Sequence, residues 1–264
     1  METTEVGGLR VTYERAGAGP ALVLLHGYVG DGQTTWRRQL DELSDDFTVV
    51  AWDAPGAGGS SDPPEDFGIA GYADCLAEFI DTLRLDGQNV VGLSFGGILA
   101  LALHHRCPAV PKALVLASAY AGWRGSLPPD VAETRLRQAL VLADLPPEEF
   151  VGTLLPTMFS PATAADAVAA FRTSMLAFHP VGFRAMARAS AEDLRHVVPQ
   201  VRIPTLLLYG EQDARAGPPM ARDLEAAIDG ARIVVLPEVG HVCNMEAPDA
   251  FNNAVRSFLH DTNS

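Results

Sequence analysis

Gly92-Leu93-Ser94-Phe95-Gly96 decides how this chain reads. An apolar run, Gln88-Asn89-Val90-Val91, leads into it, and a strongly apolar stretch from Phe95 to Cys107 leads out. A strand that passes through one sharp turn into a helix accounts for both glycines, because no bulky side chain fits two residues to either side of a serine held in such a turn. The turn pushes the Ser94 hydroxyl out of the edge of the sheet. The helix that starts beside it aims unpaired N–H groups and the positive end of its dipole at that oxygen, where they favour negative charge.

Outward from this turn, apolar β-branched runs recur: Leu9 to Glu14, Ala21 to Leu25, Phe47 to Trp52, Asn89 to Leu93, Ala113 to Ala117, Thr205 to Tyr209 and Arg232 to Leu236. They are too apolar to alternate, which predicts central strands of a mostly parallel sheet covered on both faces. Helix-period spacing appears between them at Thr35 to Leu43, Tyr72 to Leu83 and Ala250 to Leu259. Strand and helix alternate, so the fold class is α/β with a doubly wound, mostly parallel sheet. The alternation stops between Gly122 and Pro199, where about four helical segments separated by Pro146-Pro147, Pro161 and Pro180 are expected. The organisation predicted is a core domain in two parts, 1–121 and 200–264, with a helical cap over 122–199. The polar tail from His260 to Ser264 is expected to fray.

The chain's 264 residues and 28.1 kDa suit one large domain with a modest insertion. A net charge of −14 argues against nucleic acid and anionic lipid surfaces as partners. No apolar run approaches the roughly 20 residues of a membrane helix. The acidic start Met1-Glu2-Thr3-Thr4-Glu5 and the widely spaced Cys75, Cys107 and Cys243 lead to the expectation of a cytoplasmic protein. The oligomeric state, monomer or homodimer, is left open.

A serine hydroxyl needs a base within hydrogen-bond reach, and that base needs a carboxylate to orient it. Asp213 follows the run ending at Tyr209, in Gly210-Glu211-Gln212-Asp213, and His241 follows the run ending at Leu236, after Pro237-Glu238-Val239-Gly240. Both therefore fall at carboxyl ends of strands, where chemistry gathers in open α/β sheets. Glu211 and Glu238 are the rival carboxylates.

The order Ser, Asp, His, the turn at Ser94, and the phrases Leu25-His26-Gly27-Tyr28, Asp53-Ala54-Pro55-Gly56-Ala57-Gly58-Gly59-Ser60 and Gly240-His241 resemble the α/β-hydrolase fold family over essentially the whole chain. The resemblance implies a helical cap inserted after the sixth strand, a catalytic triad of Ser94, Asp213 and His241, and an oxyanion hole made by the backbone N–H groups of Tyr28 and Phe95. Asp213 is preferred over its rivals because it matches the family phrase. Serine at the nucleophile position departs from the epoxide hydrolases and haloalkane dehalogenases of this fold, which use aspartate. The loop His26-Gly27-Tyr28-Val29 lacks the glycine run of the lipase branch. Similarity is greatest to the small bacterial branch of esterases, 3-oxoadipate enol-lactonases and cofactor-free perhydrolases, which implies acyl transfer on a small ester or lactone without a cofactor. Three alternatives stay open: a carbon–carbon bond hydrolase with Arg184 or Arg188 binding a substrate carboxylate, a ligand receptor with a vestigial triad, and a cofactor-free oxygenase or lyase.

Trp123, Met158, Phe159, Met175 and Phe178 of the cap, with Val242, are the candidate substrate-lining residues. His26 is expected to be structural, Asp53 to tie down loop backbone, Glu246 to anchor the start of the last helix, and Cys243 to be a buried wall residue. The remaining histidines show no metal-ligand spacing, so no metal is expected.

Overall fold

The computed structural model describes residues 1–85 and 88–262. Its strands are β1 (Glu2–Val6), β2 (Leu9–Ala16), β3 (Ala21–Leu25), β4 (Thr48–Trp52), β5 (Asn89–Leu93), β6 (Ala113–Ala117), β7 (Thr205–Gly210) and β8 (Arg232–Leu236). They form one sheet in the order β1-β2-β4-β3-β5-β6-β7-β8. The β1–β2 and β2–β4 pairs are antiparallel and all others parallel. Every residue of β3 to β7 is buried, as continuous apolar runs between two helical layers require. β8 does not share that burial. It closes the sheet with Arg232 and Val235 exposed, so its apolar run is an edge and not a central strand.

β1 was not legible as a strand. Its residues are mostly exposed, and it is held by a hairpin through Gly7-Gly8, both at positive φ, that pairs Val6 with Leu9.

The helices before the insertion are α1 (Gly32–Leu43), α2 (Gly68–Thr82) and α3 (Phe95–Arg106). α3 is buried around almost its whole circumference, which explains why it is apolar without a polar face. Between β6 and β7 the chain makes α4 (Trp123–Ser126), α5 (Pro129–Leu142), α6 (Pro147–Leu154), α7 (Ala165–Leu176) and α8 (Pro180–Ser190), with 3-10 turns at Leu155–Thr157 and Val198–Gln200 and no strand. Pro129, Pro147 and Pro180 each open a helix, where a missing N–H costs nothing and a fixed φ helps. α9 (Pro218–Ala227), α10 (Cys243–Glu246) and α11 (Pro248–Thr262) complete the chain. The tail expected to fray is helical through Thr262; Asn263 and Ser264 lie outside the described residues. No helix among the described residues is long and apolar enough to cross a membrane.

The turn between β5 and α3 fixes the geometry of everything around it. Ser94 sits at φ 53° and ψ −110°, a conformation costing roughly 1–3 kcal/mol that the surrounding packing must hold. A Cβ on Gly92 would collide with the Gly96 carbonyl, and one on Gly96 with the Leu25 carbonyl of β3. Gly96→Ala is therefore expected to separate α3 from β3 and to destabilise the fold by about 1–3 kcal/mol or more, read as a drop in the urea midpoint.

Candidate active site

Ser94, Asp213 and His241 come from the ends of β5, β7 and β8, and the parallel order of those strands brings all three to one edge of the sheet. His241 Nε2 lies 3.0 Å from Ser94 Oγ. On the other side of the ring, His241 Nδ1 lies 2.9 Å from Asp213 Oδ2 and 3.1 Å from Oδ1. A carboxylate can only accept here, so Nδ1 carries the proton and Nε2 is left as an acceptor for the serine hydroxyl.

Asp213 is buried, with its side chain fully enclosed. Burial alone would raise its pKa. The neighbouring His241, the hydrogen bond to its ring, and the backbone N–H groups of Ala216 (2.9 Å) and Arg215 (2.8 Å) outweigh burial and bring the carboxyl down to about 2. The rivals are placed elsewhere: Glu211 accepts the backbone N–H of Glu238, and neither reaches the histidine.

The loop after β3 runs against Ser94, and Tyr28 and Phe95 are both buried there. Neither backbone N–H has a hydrogen-bond partner among the described residues. Phe95 opens α3, so its N–H has no intrahelical partner and is free to meet an acceptor at Ser94. His26 holds this loop. Its Nδ1 donates to the Gly27 carbonyl at 2.6 Å, its Nε2 accepts the Ala54 N–H at 3.0 Å, and burial lowers its pKa, which keeps it neutral. Asp53 braces the neighbouring turn, accepting the N–H groups of Gly32 at 2.8 Å and Gly59 at 2.9 Å and the Thr12 hydroxyl at 2.5 Å.

The cavity against Ser94 is only about 10 Å³, close to the least that holds one water. Met158 and Val242 are among its walls, with Tyr28, Phe171 and His241. Four of the expected lining residues are not. Trp123 packs edge-on against Tyr28 at 5.8 Å, and Phe159 packs edge-on against Phe171 at 5.4 Å. Met175 is buried within α7, and Phe178 stacks on Phe150 at 3.9 Å and faces a second cavity of about 30 Å³ beyond Tyr28. Apolar spacing in a helical segment cannot tell a wall of the site from the packing behind it. Cys243 is buried outside the cavity wall, and burial pushes its thiol pKa well up, so it is not a rival nucleophile. Arg184 is paired with Asp144, and Arg188 with Glu65 at 3.2 Å, and neither lines this cavity.

Glu246 has a role its position in the sequence does not announce. It accepts from Gly240 N–H (3.0 Å) with one oxygen, and from Ser160 N–H (2.9 Å) and the Thr163 hydroxyl (2.7 Å) with the other. The Met158 carbonyl accepts the N–H groups of His241 (3.0 Å) and Val242 (3.1 Å) in the same seam. The expectation that Glu246 anchors the last helix is corrected accordingly: it ties the histidine loop to the inserted segment. Glu246→Ala leaves three donors without their acceptor and is expected to cost about 2–4 kcal/mol, with Glu246→Gln recovering part, by urea unfolding of the two variants.

The sequence profile of the alpha/beta hydrolase family matches residues 22–254. The pimeloyl-[acyl-carrier protein] methyl ester esterase of Vibrio atlanticus is 30% identical over 260 residues, covering 92% of this chain and 95% of that protein. A match to mycobacterial proteins is 35% identical over 119 residues, 45% of this chain, and spans only 35% of their length. Among solved structures, a thermophilic esterase from Thermogutta terrifontis with malate bound superposes with a TM-score of 0.92 at 26% identity, covering 100% of both chains. The enol-lactonase from Burkholderia xenovorans LB400 gives a TM-score of 0.87 at 27% identity, covering 98% of this chain and 100% of that one. On this profile match and on a fold shared from end to end, the chain belongs to the alpha/beta hydrolase family.

Proposed function

We propose that the protein hydrolyses a small carboxylic ester or lactone through an acyl-enzyme on Ser94. The observation that carries this reading is the line from Ser94 through His241 to Asp213, at 3.0 and 2.9 Å, beside two backbone N–H groups without a partner among the described residues. His241 Nε2 takes the hydroxyl proton as Ser94 Oγ attacks the carbonyl carbon. The developing oxyanion is held by the N–H groups of Tyr28 and Phe95; each such donor is worth about 3 kcal/mol of barrier. His241 then gives the proton to the departing oxygen, and the charge it carried meanwhile is balanced by Asp213, which its low pKa keeps ionised. Water repeats the cycle and releases the acid.

The relatives that act on esters and on an enol-lactone support this bond class, and the tight walls around Ser94 support a small acyl group. Free Cys75, Cys107 and Cys243 suit the cytoplasmic setting assumed for such a substrate. A chain-length series of p-nitrophenyl esters, with a few lactones, tests the reading. Turnover that peaks at short acyl chains is expected; turnover of vinylogous diketones in place of esters and lactones would contradict it.

A further inference from the structure

Of the 19 lysines and arginines in the chain, all but Arg135 and Arg215 either pair with a carboxylate within 4.0 Å among the described residues or are exposed. These two are half-buried and lie together. Arg135 Nη1 donates to the Tyr120 hydroxyl at 2.8 Å, and that hydroxyl in turn donates to the Arg215 carbonyl. The chain does not lack acids, with 33 of them, so two sheltered cations without one stand out.

Arg215 is the nearer to the chemistry. Its Nη2 donates to the Tyr28 hydroxyl at 2.7 Å and its Nη1 to the Thr157 hydroxyl at 3.0 Å. Tyr28 and Met158, next to Thr157, are both walls of the cavity at Ser94, so the guanidinium stands one tyrosine side chain away from the oxyanion position. Its Nε–H is buried and has no partner among the described residues. In Arg37, Arg106 and Arg195 the Nε and Nη2 edge forks onto a carboxylate. In Arg215 the same edge holds one neutral hydroxyl and one unused donor. Five donors in a fixed plane are matched to a carboxylate, and a neutral phenol satisfies only one of them.

We infer that Arg215 reads a carboxylate at the end of the substrate remote from the bond that is cut, so that the substrate class is a half-ester or lactone of a dicarboxylic acid. This rests on the hydrolytic reading above and specifies its substrate. The cavity is too small for any substrate as it stands, and one of its walls, Met158, adjoins the Thr157 that is bonded to Arg215. Substrate that displaces this segment would release Nη1 from Thr157 as it enters, adding a second donor to the unused Nε–H.

The product of such a reaction is a dicarboxylate, which provides a probe independent of turnover. Calorimetric titration with glutarate and adipate, against pentanoate and hexanoate, is expected to show the dicarboxylate binding at least about tenfold tighter than the monocarboxylate of equal length. Arg215→Gln should bring the ratio near one, and Arg215→Lys should keep part of it, since charge remains but the fork is lost. Equal affinities in the wild type, or a ratio that Arg215→Gln does not change, would overturn the inference. Ser94-dependent turnover of p-nitrophenyl esters is read separately, so the hydrolytic reading and the carboxylate reading can fail one without the other.

Discussion

Ser94→Ala is expected to remove about 10⁵–10⁶ of kcat on any ester the protein turns over, while folding stability changes by less than about 1 kcal/mol. The size of the loss follows from the geometry: without the hydroxyl, His241 has no proton to take, and the two orphan N–H groups face an oxyanion that no attack generates. Residual rate comes from binding and the oxyanion donors acting on water. Burst kinetics and urea unfolding on the same preparation check both halves. A cofactor-free oxygenase or lyase built on this fold would keep its chemistry in the variant, so retained activity would favour that reading.

Asp213→Asn is expected to cost about 10⁴ in kcat with the fold retained. Asp213 Oδ1 accepts two backbone N–H groups, from Arg215 and Ala216, and an amide oxygen takes over that position. The amide NH₂ then faces His241 Nδ1, the ring must accept there, and its proton moves to Nε2, where it cannot take one from Ser94. The same substitution has a pH signature in stability. The folded-state pKa of Asp213, about 2, lies below its ordinary value of 3.8, so the carboxylate contributes stability that is complete above the ordinary value and is lost as pH falls toward 2. The amount is on the order of 2 kcal/mol. Between about pH 5 and pH 3 the wild type should therefore lose more stability than Asp213→Asn, by urea midpoints at the two values.

The sheet was legible where burial is symmetric. Central strands such as β3 and β5 have both faces covered, and their apolar runs mark their ends to the residue. Edges were harder, because a strand paired on one side only is free to be polar. β1 left only the Gly7-Gly8 turn as its signal, and β8 carries an apolar run that its exposure does not require. Helix starts were misplaced inward: α1 begins at Gly32, under an Asp31 side chain that accepts the Thr34 N–H at 2.6 Å, in a first turn with no apolar period to read.

In the site, residues at strand ends could be named because the sheet itself fixes where they go. Residues whose part depends on how the inserted helices dock could not. Phe171 on α7 lines the cavity, and Phe159 does not, although both are apolar residues of the same segment. Glu246 and Arg215 were missed for the same reason. Each acts through a contact across the seam with residues 157 to 163, a juxtaposition of positions about 60 to 90 apart that no local pattern encodes. The phrase Asp213-Ala214-Arg215 did hold a signal, a cation two residues from a buried acid with no other carboxylate to serve.

Acyl transfer through Ser94 is tested by trapping the covalent intermediate. The protein is mixed with excess p-nitrophenyl acetate, quenched in acid within the first turnovers, digested and mapped by mass spectrometry. One acetyl group is expected, on the peptide carrying Ser94, and none on the Ser94→Ala protein. Steady turnover with Ser94 unmodified, or an acetyl group at Cys243 in its place, would contradict it.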